Sequence, residues 1–439
     1  MRAAATGPAE LDCCPRRRGV RAVRLAALVC ALVALWAAAP ARAGLAPPGQ
    51  LPIGFWCGPP RAFVADAAAA AARMAEIKAA GFNMASPPCE PPYDTATNQR
   101  VLTAAQQAGI KVIVSDQRLT DAVAGGSTAQ LDQVLADYAS YPALGGYYLG
   151  DEPSTDAFSR VGAVVSYLRA RDPEHPAYVN VIPDFATPGQ LGVSDYATYL
   201  DQYLGTSGIS LLSYDHYPTD GFFTNLAAAR DAAAAHGVPF WQIVLSTRHL
   251  SYDQPTQAQK LWEGMQTLAY GGKGVMFFTY WTVGLEDPDN WGEAIIDGAG
   301  TQTSQYSEIT DVNAQLQSIG QALLGATNRY TFQNGKPVAG AIARPVGAPV
   351  RVDGSTPLTI GVFDDGTYLY TLVTNRDAET ARTATLQVAT GTSPLERLGP
   401  SGTWSAVSAA GSATAVGAAL PAGGGVLYRT ALPVAPIGS

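Results

Sequence analysis

The sequence predicts a (β/α)8 barrel of the TIM type followed by a small C-terminal antiparallel β-sandwich. Three observations carry this expectation. Short apolar runs alternate with helical stretches eight times between Pro52 and about Thr282. No GxGxxG or GxxxxGKS/T loop follows any of those runs, as an open doubly wound sheet would usually require. After about Asn334 the composition turns to Gly, Thr, Val and Ala, and helix signals stop.

In order, the first strand is Ile53–Trp56, and the alanine-rich helix Asp66–Ala80 is stopped by Gly81. Strand two, Phe82–Ala85, runs into a Pro-rich loop through Tyr93. The helix Thr97–Ala108 leads through Gly109 into strand three, Lys111–Ser115. The helix Ser127–Ala139 precedes strand four, Gly145–Leu149. The helix Ser154–Arg171 precedes strand five, Ala177–Ile182. Then come Leu191–Tyr203 with strand six, Ile209–Tyr214, and Ala227–His236 with strand seven, Phe240–Leu245. Thr256–Tyr270 leads to strand eight, Gly274–Tyr280, and Ser307–Leu324 supplies the eighth helix. Further on, strands are expected at Pro357–Val362, Thr367–Thr374, Ala384–Val388 and Gly425–Thr430, with a hairpin signal at Asp364-Asp365-Gly366. The expected domains are 44–328 for the barrel and 329–439 for the sandwich.

The first 43 residues read as a signal peptide. Arg16, Arg17, Arg18, Arg21 and Arg24 precede the apolar stretch Leu25–Ala39, and Ala41-Arg42-Ala43 is a small-x-small cleavage site. A secreted or periplasmic location is expected. No later stretch is long and apolar enough to cross a membrane. A formal net charge of −8, with no basic cluster after the signal, argues against nucleic acid and anionic membranes as partners.

Cys57 and Cys89 remain after the signal, each just past one of the first two strands. A disulfide between adjacent strand ends is expected, with two buried thiols as the alternative. His175, His216, His236 and His249 are scattered and there is no CxxC, so neither a metal nor a cofactor is expected.

Carboxylates, amides and rings recur at the C-terminal ends of the strands, where such barrels keep their chemistry. Trp56 ends strand one, Asp116 strand three, and Gly150-Asp151-Glu152-Pro153 follows strand four. Strand five offers Asn180, strand six Asp215-His216-Tyr217, strand seven Trp241 and Gln242, and strand eight Tyr280-Trp281. Rings stack on the C–H face of a pyranose, while carboxylates and amides bind its hydroxyls. Glycoside cleavage adds the need for an acid and a second carboxylate. Barrel packing is the plainer reading of any single ring.

The acidic-Glu-Pro ending of strand four resembles the Asn-Glu-Pro motif of clan A retaining glycosidases, in which the Glu is the acid/base. Asp215-His216-Tyr217 resembles the clan's His-x-Tyr region after strand six, with shorter spacing. Tyr280-Trp281 resembles the Trp that ends strand eight and floors the sugar subsite. The run from Trp56 to Trp281 is also similar to a group of secreted bacterial glycosidase-like proteins in which Gly-Asp-Glu-Pro, Asp-His-Tyr-Pro and Phe-Thr-Tyr-Trp recur in this order. Leu420–Arg429 resembles the last strand of β-domains appended to such enzymes. The resemblance implies a secreted glycoside hydrolase acting on an oligo- or polysaccharide, with Glu152 as proton donor.

The chain departs from the clan at strand seven, where the nucleophilic Glu should stand. Phe240-Trp241-Gln242-Ile243-Val244 has no acid, and none follows until Asp253. Asp215 is the first candidate for the second carboxylate; orienting His216 or a ring hydroxyl is its alternative role. Asp116, Glu286 and Asp297 are further candidates. Asp151 is expected to cap a helix or bind a hydroxyl. Trp56, Asp116, Asp151, Asn180, His216, Tyr217, Gln242, Tyr280 and Trp281 are the expected carbohydrate-binding residues. A barrel that binds carbohydrate without cleaving it, or a transglycosylase, would share these residues. In the C-terminal domain Trp404 is the sole tryptophan, which suits packing better than a stacking platform.

Overall fold

The computed structural model describes residues 44–439 apart from 87, 90–91, 219–220, 285–290, 337, 392, 412–413 and 435–439. The expected signal peptide and Glu286 lie outside the described residues.

The barrel portion runs β1 (Ile53–Phe55), α1 (Ala67–Ala79), β2 (Met84–Ala85), α2 (Thr95–Ala108), β3 (Lys111–Val114), α3 (Gln117–Val123), α4 (Leu131–Tyr138), β4 (Leu144–Asp151) and α5 (Phe158–Arg171). It continues with β5 (Ala177–Val181), α6 (Pro188–Leu191), α7 (Tyr196–Ser207), β6 (Leu212–Asp215), α8 (Phe222–His236), β7 (Phe240–Leu245), α9 (Gln257–Ala269), β8 (Val275–Phe278) and α10 (Ser304–Leu323). All eight strands are parallel, in the order β1-β8-β7-β6-β5-β4-β3-β2. The seam between β1 and β2 is stitched by Asn83. Its backbone N–H donates to the Ile53 carbonyl at 3.1 Å, and its side-chain oxygen accepts from the Ile53 N–H at 2.9 Å. This is the barrel the alternation predicts.

Local chemistry explains where the boundaries differ from expectation. The single helix expected over Leu191–Tyr203 is two, because Gly192 ends α6 in the left-handed conformation (φ 79°) and Asp195 caps α7 by accepting from Thr198 N–H. The helix α3 was not expected; Asp116 caps it. The stretch Ser127–Ala139 opens with a 3-10 turn before α4, and α8 starts at Phe222, five residues ahead of Ala227. Strand β4 continues through Asp151, so Asp151 caps no helix.

Successive side chains of a strand point to opposite faces. One set fills the barrel interior: Met84, Ile113, Tyr178, Trp241, Ile243 and Met276 form a compact buried cluster there. The other set, including Ile53, Phe55, Val112, Val114, Val179, Val181, Val244 and Phe277, packs outward against the helices in the largest core. Cys57 and Cys89 form a disulfide with Cα atoms 4.4 Å apart, tying the loop after β1 to the loop after β2.

The C-terminal part holds β9 (Thr327–Asn334), β10 (Val350–Asp353), β11 (Leu358–Asp364), β12 (Tyr368–Asn375), β13 (Arg382–Val388), β14 (Glu396–Leu398), β15 (Trp404–Ala406), β16 (Thr414–Leu420) and β17 (Gly425–Ala431). They form a three-stranded sheet, β10-β13-β16, and a six-stranded sheet, β15-β14-β17-β12-β11-β9. Val350, Leu386 and Val388 of one sheet meet Leu358, Ile360 and Val426 of the other in a separate core, which makes this part a β-sandwich. Strands β9, β10 and β14–β16 carry weak alternation and were not expected. Trp404 lies under the Arg429 guanidinium, 4.2 Å away.

Helix α9 is enclosed between the barrel wall and the six-stranded sheet. Its polar residues are therefore buried and must find partners. Lys260 pairs with Glu308 at 2.7 Å, Gln266 donates to the Asn375 carbonyl at 3.2 Å, and Glu263 accepts from Leu245 N–H at 3.1 Å. Burial pushes the Glu263 carboxyl well above the usual range, against the Leu245 hydrogen bond that lowers it.

Candidate active site

At the C-terminal mouth lies a basin of about 440 Å³, lined by Trp56, Asp151, Glu152, Asn180, Phe185, Asp215, Tyr217, Ile243, His249, Leu250, Ser251, Tyr252 and Phe278. Strand alternation sorts its walls. With Tyr178 inside, Asn180 is inside; with Ser213 inside, so are Asp215 and Tyr217; with Met276 inside, so is Phe278.

Strand β4 breaks this rule, and the break brings the acids together. Tyr148 pairs with Tyr178, but Gly150 pairs with Val179 and Asp151 with Asn180, so one extra residue is accommodated between Tyr148 and Gly150. Such a bulge inverts the alternation beyond it. Asp151 is thereby turned inward. Glu152 follows in the left-handed region (φ 45°), which a non-glycine residue adopts at a cost of about 1 kcal/mol. Two neighbours that a regular strand would send to opposite faces both line the basin.

Asn180 links the acids across strands. Its Nδ2 donates to Asp215 Oδ1 at 2.8 Å and to Asp151 Oδ1 at 3.1 Å. The Glu152 and Asp215 carboxyl groups line the same basin, close enough to interact electrostatically. Among the described lining residues there is no Lys or Arg. Burial, then the charge of Glu152, pushes the Asp215 carboxyl up to about 8, against the Asn180 hydrogen bond that lowers it. Part of Glu152 faces solvent, yet desolvation by the walls, then the Asp151 charge, raises it too. Asp151 is likewise raised by burial and eased by Asn180. Groups this close titrate as a set, so the proton belongs to the cluster.

Three solved structures of known glycosidases share this architecture. A GH42 β-galactosidase of G. stearothermophilus superposes with a TM-score of 0.59 at 9% identity, over 89% of this chain and 100% of that one. The β-galactosidase of Bacillus circulans sp. alkalophilus gives 0.56 at 11% identity, over 87% and 99%. The cold-adapted β-galactosidase of Rahnella sp. R3 gives 0.54 at 11% identity, over 88% and 99%. The fold is glycoside hydrolase-like. No family model matches the sequence, and no curated protein matches it.

Within this glycosidase-like barrel, Trp56, Asp151, Glu152, Asn180, Asp215 and Tyr217 meet in the basin, whereas several other expected residues do not. Asp116 points outward, as alternation from Ile113 requires. It is buried and accepts from Tyr138 OH at 2.6 Å and from Arg118 Nη2 at 2.7 Å, Nε at 2.8 Å and N at 3.0 Å. Gln242 also faces outward; it donates to the His216 carbonyl at 2.8 Å and accepts from Thr267 Oγ1 at 2.6 Å. His216 is buried beside the basin, its Nε2 3.1 Å from Asp184 Oδ1. Strand β8 ends at Phe278, and beyond it Tyr280 stacks on Phe55 in the outer layer at 4.4 Å. Trp281 packs on Phe63 at 4.5 Å and lines a separate small cavity beside the disulfide. Phe278 therefore stands in the wall where Tyr280-Trp281 was expected. Asp297 accepts from Ala299 and Thr301 N–H groups in a turn.

The sequence reading missed Phe278, Phe185 and the segment His249–Tyr252. Counting twos back from Phe278 to Met276 would have found the first. The others sit on loops after β5 and β7, where no periodicity applies.

Proposed function

We propose that the basin hydrolyses an O-glycosidic bond with retention, Glu152 serving as proton donor and Asp215 as nucleophile. The observation that carries this reading is the placement of these two electrostatically interacting carboxyl groups in one ring-lined basin. Retaining sites hold their carboxyls about 5–5.5 Å apart, while inversion needs about 6.5–9.5 Å to admit a water between sugar and base. The mutual influence of the two carboxyl groups supports the closer arrangement.

The roles follow from position. Glu152 stands at the open edge and Asp215 lower on the wall. One proton shared by the pair moves to Glu152 as the sugar enters, because the leaving oxygen lies on that side. Glu152 protonates that oxygen as Asp215 attacks the anomeric carbon. Glu152 then takes a proton from water, and the hydroxide attacks the same carbon and frees Asp215. Asp151 and Asn180 bind hydroxyls and hold the two carboxylates in register. Trp56, Tyr217 and Phe278 offer ring faces to the sugar.

A panel of aryl glycosides, β-galactosides first because the neighbours are named β-galactosidases, tests the reading. A 2-deoxy-2-fluoro glycosyl probe should label Asp215. Label on another residue, or unchanged turnover in Glu152→Gln, would refute the assignment.

A carbohydrate-binding barrel without catalysis is the second reading, favoured by the absence of an acid from β7. Thermal stabilisation by a sugar without release of reducing ends would support it. We further propose that the protein works outside the cytosol, a reading supported by the Cys57–Cys89 disulfide.

A further inference from the structure

Large apolar side chains are rarely left in water without use when they cluster. Among the described residues the exposed large ones are Phe185 at 64%, Leu250 at 50%, Val338, Val346 and Val407. The first two belong to the same basin. Phe185 stands on the loop after β5 and Leu250 on the loop after β7, flanking β6 and its Asp215. Phe185 meets the His216 ring at 5.7 Å, a tilted contact that leaves most of its surface open. Tyr217, by contrast, is buried in the wall below, against Tyr252 and Phe278.

Position gives these rim residues a partner. With the anomeric carbon over the Glu152–Asp215 pair, the aglycone projects out through the mouth of the basin, whose exposed apolar lining is Phe185 and Leu250. A ring face alone would also suit the C–H face of a second sugar. The Leu250 methyl groups, exposed in the same basin, cannot exchange hydrogen bonds with sugar hydroxyls, and they shift the match to an apolar group.

We propose that Phe185 and Leu250 form an aglycone subsite that selects glycosides of aryl or alkyl alcohols. This rests on the hydrolase reading for which side the aglycone leaves. Its test does not need turnover.

Phenyl and methyl 1-thio-β-D-glycopyranosides of galactose, glucose and mannose resist cleavage and differ only in the aglycone. Calorimetric titration of the full chain should show the phenyl member of the bound pair held about tenfold more tightly than the methyl member. In Phe185→Ala that ratio should fall to about twofold or less, with Leu250→Ala in between and Phe185→Trp close to the parent. Thermal melts of each variant report folding, which these exposed positions should not disturb. A parent ratio near one, or a ratio unmoved by Phe185→Ala, overturns the proposal. So does tighter binding of a thio-linked disaccharide than of the phenyl glycoside, which would assign the subsite to sugar. If Glu152→Gln abolishes turnover while the phenyl preference is missing, the hydrolase reading stands and this one falls. If the preference is present in a protein without turnover, the apolar subsite stands and the hydrolase reading falls. Binding of no member of the panel overturns this proposal and leaves the hydrolase reading to its own test.

Discussion

Asp116 follows β3 and Asp215 ends β6 of the same barrel, and the protein treats them in opposite ways. Asp116 turns outward and is surrounded by donors: the Arg118 guanidinium, the Arg118 N–H and the Tyr138 hydroxyl. Burial alone would raise it, yet these donors hold it below the usual carboxylate range. Asp215 turns inward, has Asn180 as its side-chain donor, and faces two further carboxylates. It is held well above that range. The lesson concerns donor supply. A buried acid given enough hydrogen bonds is a structural anion, and one left short of them beside like charges joins a cluster that holds a proton into the neutral range.

The contrast can be broken by exchanging each acid for its amide. The largest effect is expected on catalysis: Glu152→Gln or Asp215→Asn should lower kcat on an aryl glycoside by about 10^3-fold or more, while the fold is retained in circular dichroism. Asp116→Asn should instead leave kcat per folded molecule unchanged. It should lower stability by about 1–3 kcal/mol in urea denaturation, because Arg118 loses one of its two carboxylate partners and keeps Asp137.

The pH dependence sharpens the difference because the signs are opposed. An unfolded aspartate loses its proton near its ordinary value, whereas folded Asp215 keeps it up to about 8. Between those values the folded state binds more protons, so stability falls as pH rises. Asp215→Asn should flatten that slope between pH 5 and 8 and raise Tm at pH 7, by about 2–4 °C for each kcal/mol recovered. For Asp116 the stabilisation is full above the ordinary carboxylate value and lost as pH falls through its depressed value; Asp116→Asn should remove it. The smallest effect is expected at the bridge. Asn180→Ala takes a donor from both Asp151 and Asp215, so the alkaline limb of the pH–rate profile should move up, with kcat reduced about tenfold.

The barrel was legible because apolar runs and helix punctuation repeat eight times, and single boundary errors do not disturb that count. Strand β7, Phe240–Leu245, matches residue for residue because it is apolar at every position but Gln242 and bounded by Pro239 and Ser246. The site was legible only as a set of strand ends. Alternation would have separated Trp241 from Gln242 and Tyr217 from His216, since neighbours cannot both face the mouth. It would have removed Asp116 as well. It would also have misplaced Asp151, because a bulge depends on backbone pairing with the next strand, which leaves no periodic trace. Phe185 and Leu250 were invisible for a different reason: loop direction is set by tertiary packing. In the sandwich, β14 and β15 have three residues each, too few for a period to register.

The irregular end of β4 also makes this chemistry depend on chain length more than on side-chain identity. Removing one residue between Tyr148 and Asp151 would restore the ladder with β5 and send one of the two acids into the helix layer, with every side chain of the proposed mechanism still encoded. Insertions and deletions at this point are therefore the changes by which a descendant of this chain would most readily become an inert scaffold, and a gap here in an aligned relative would be the first mark of it.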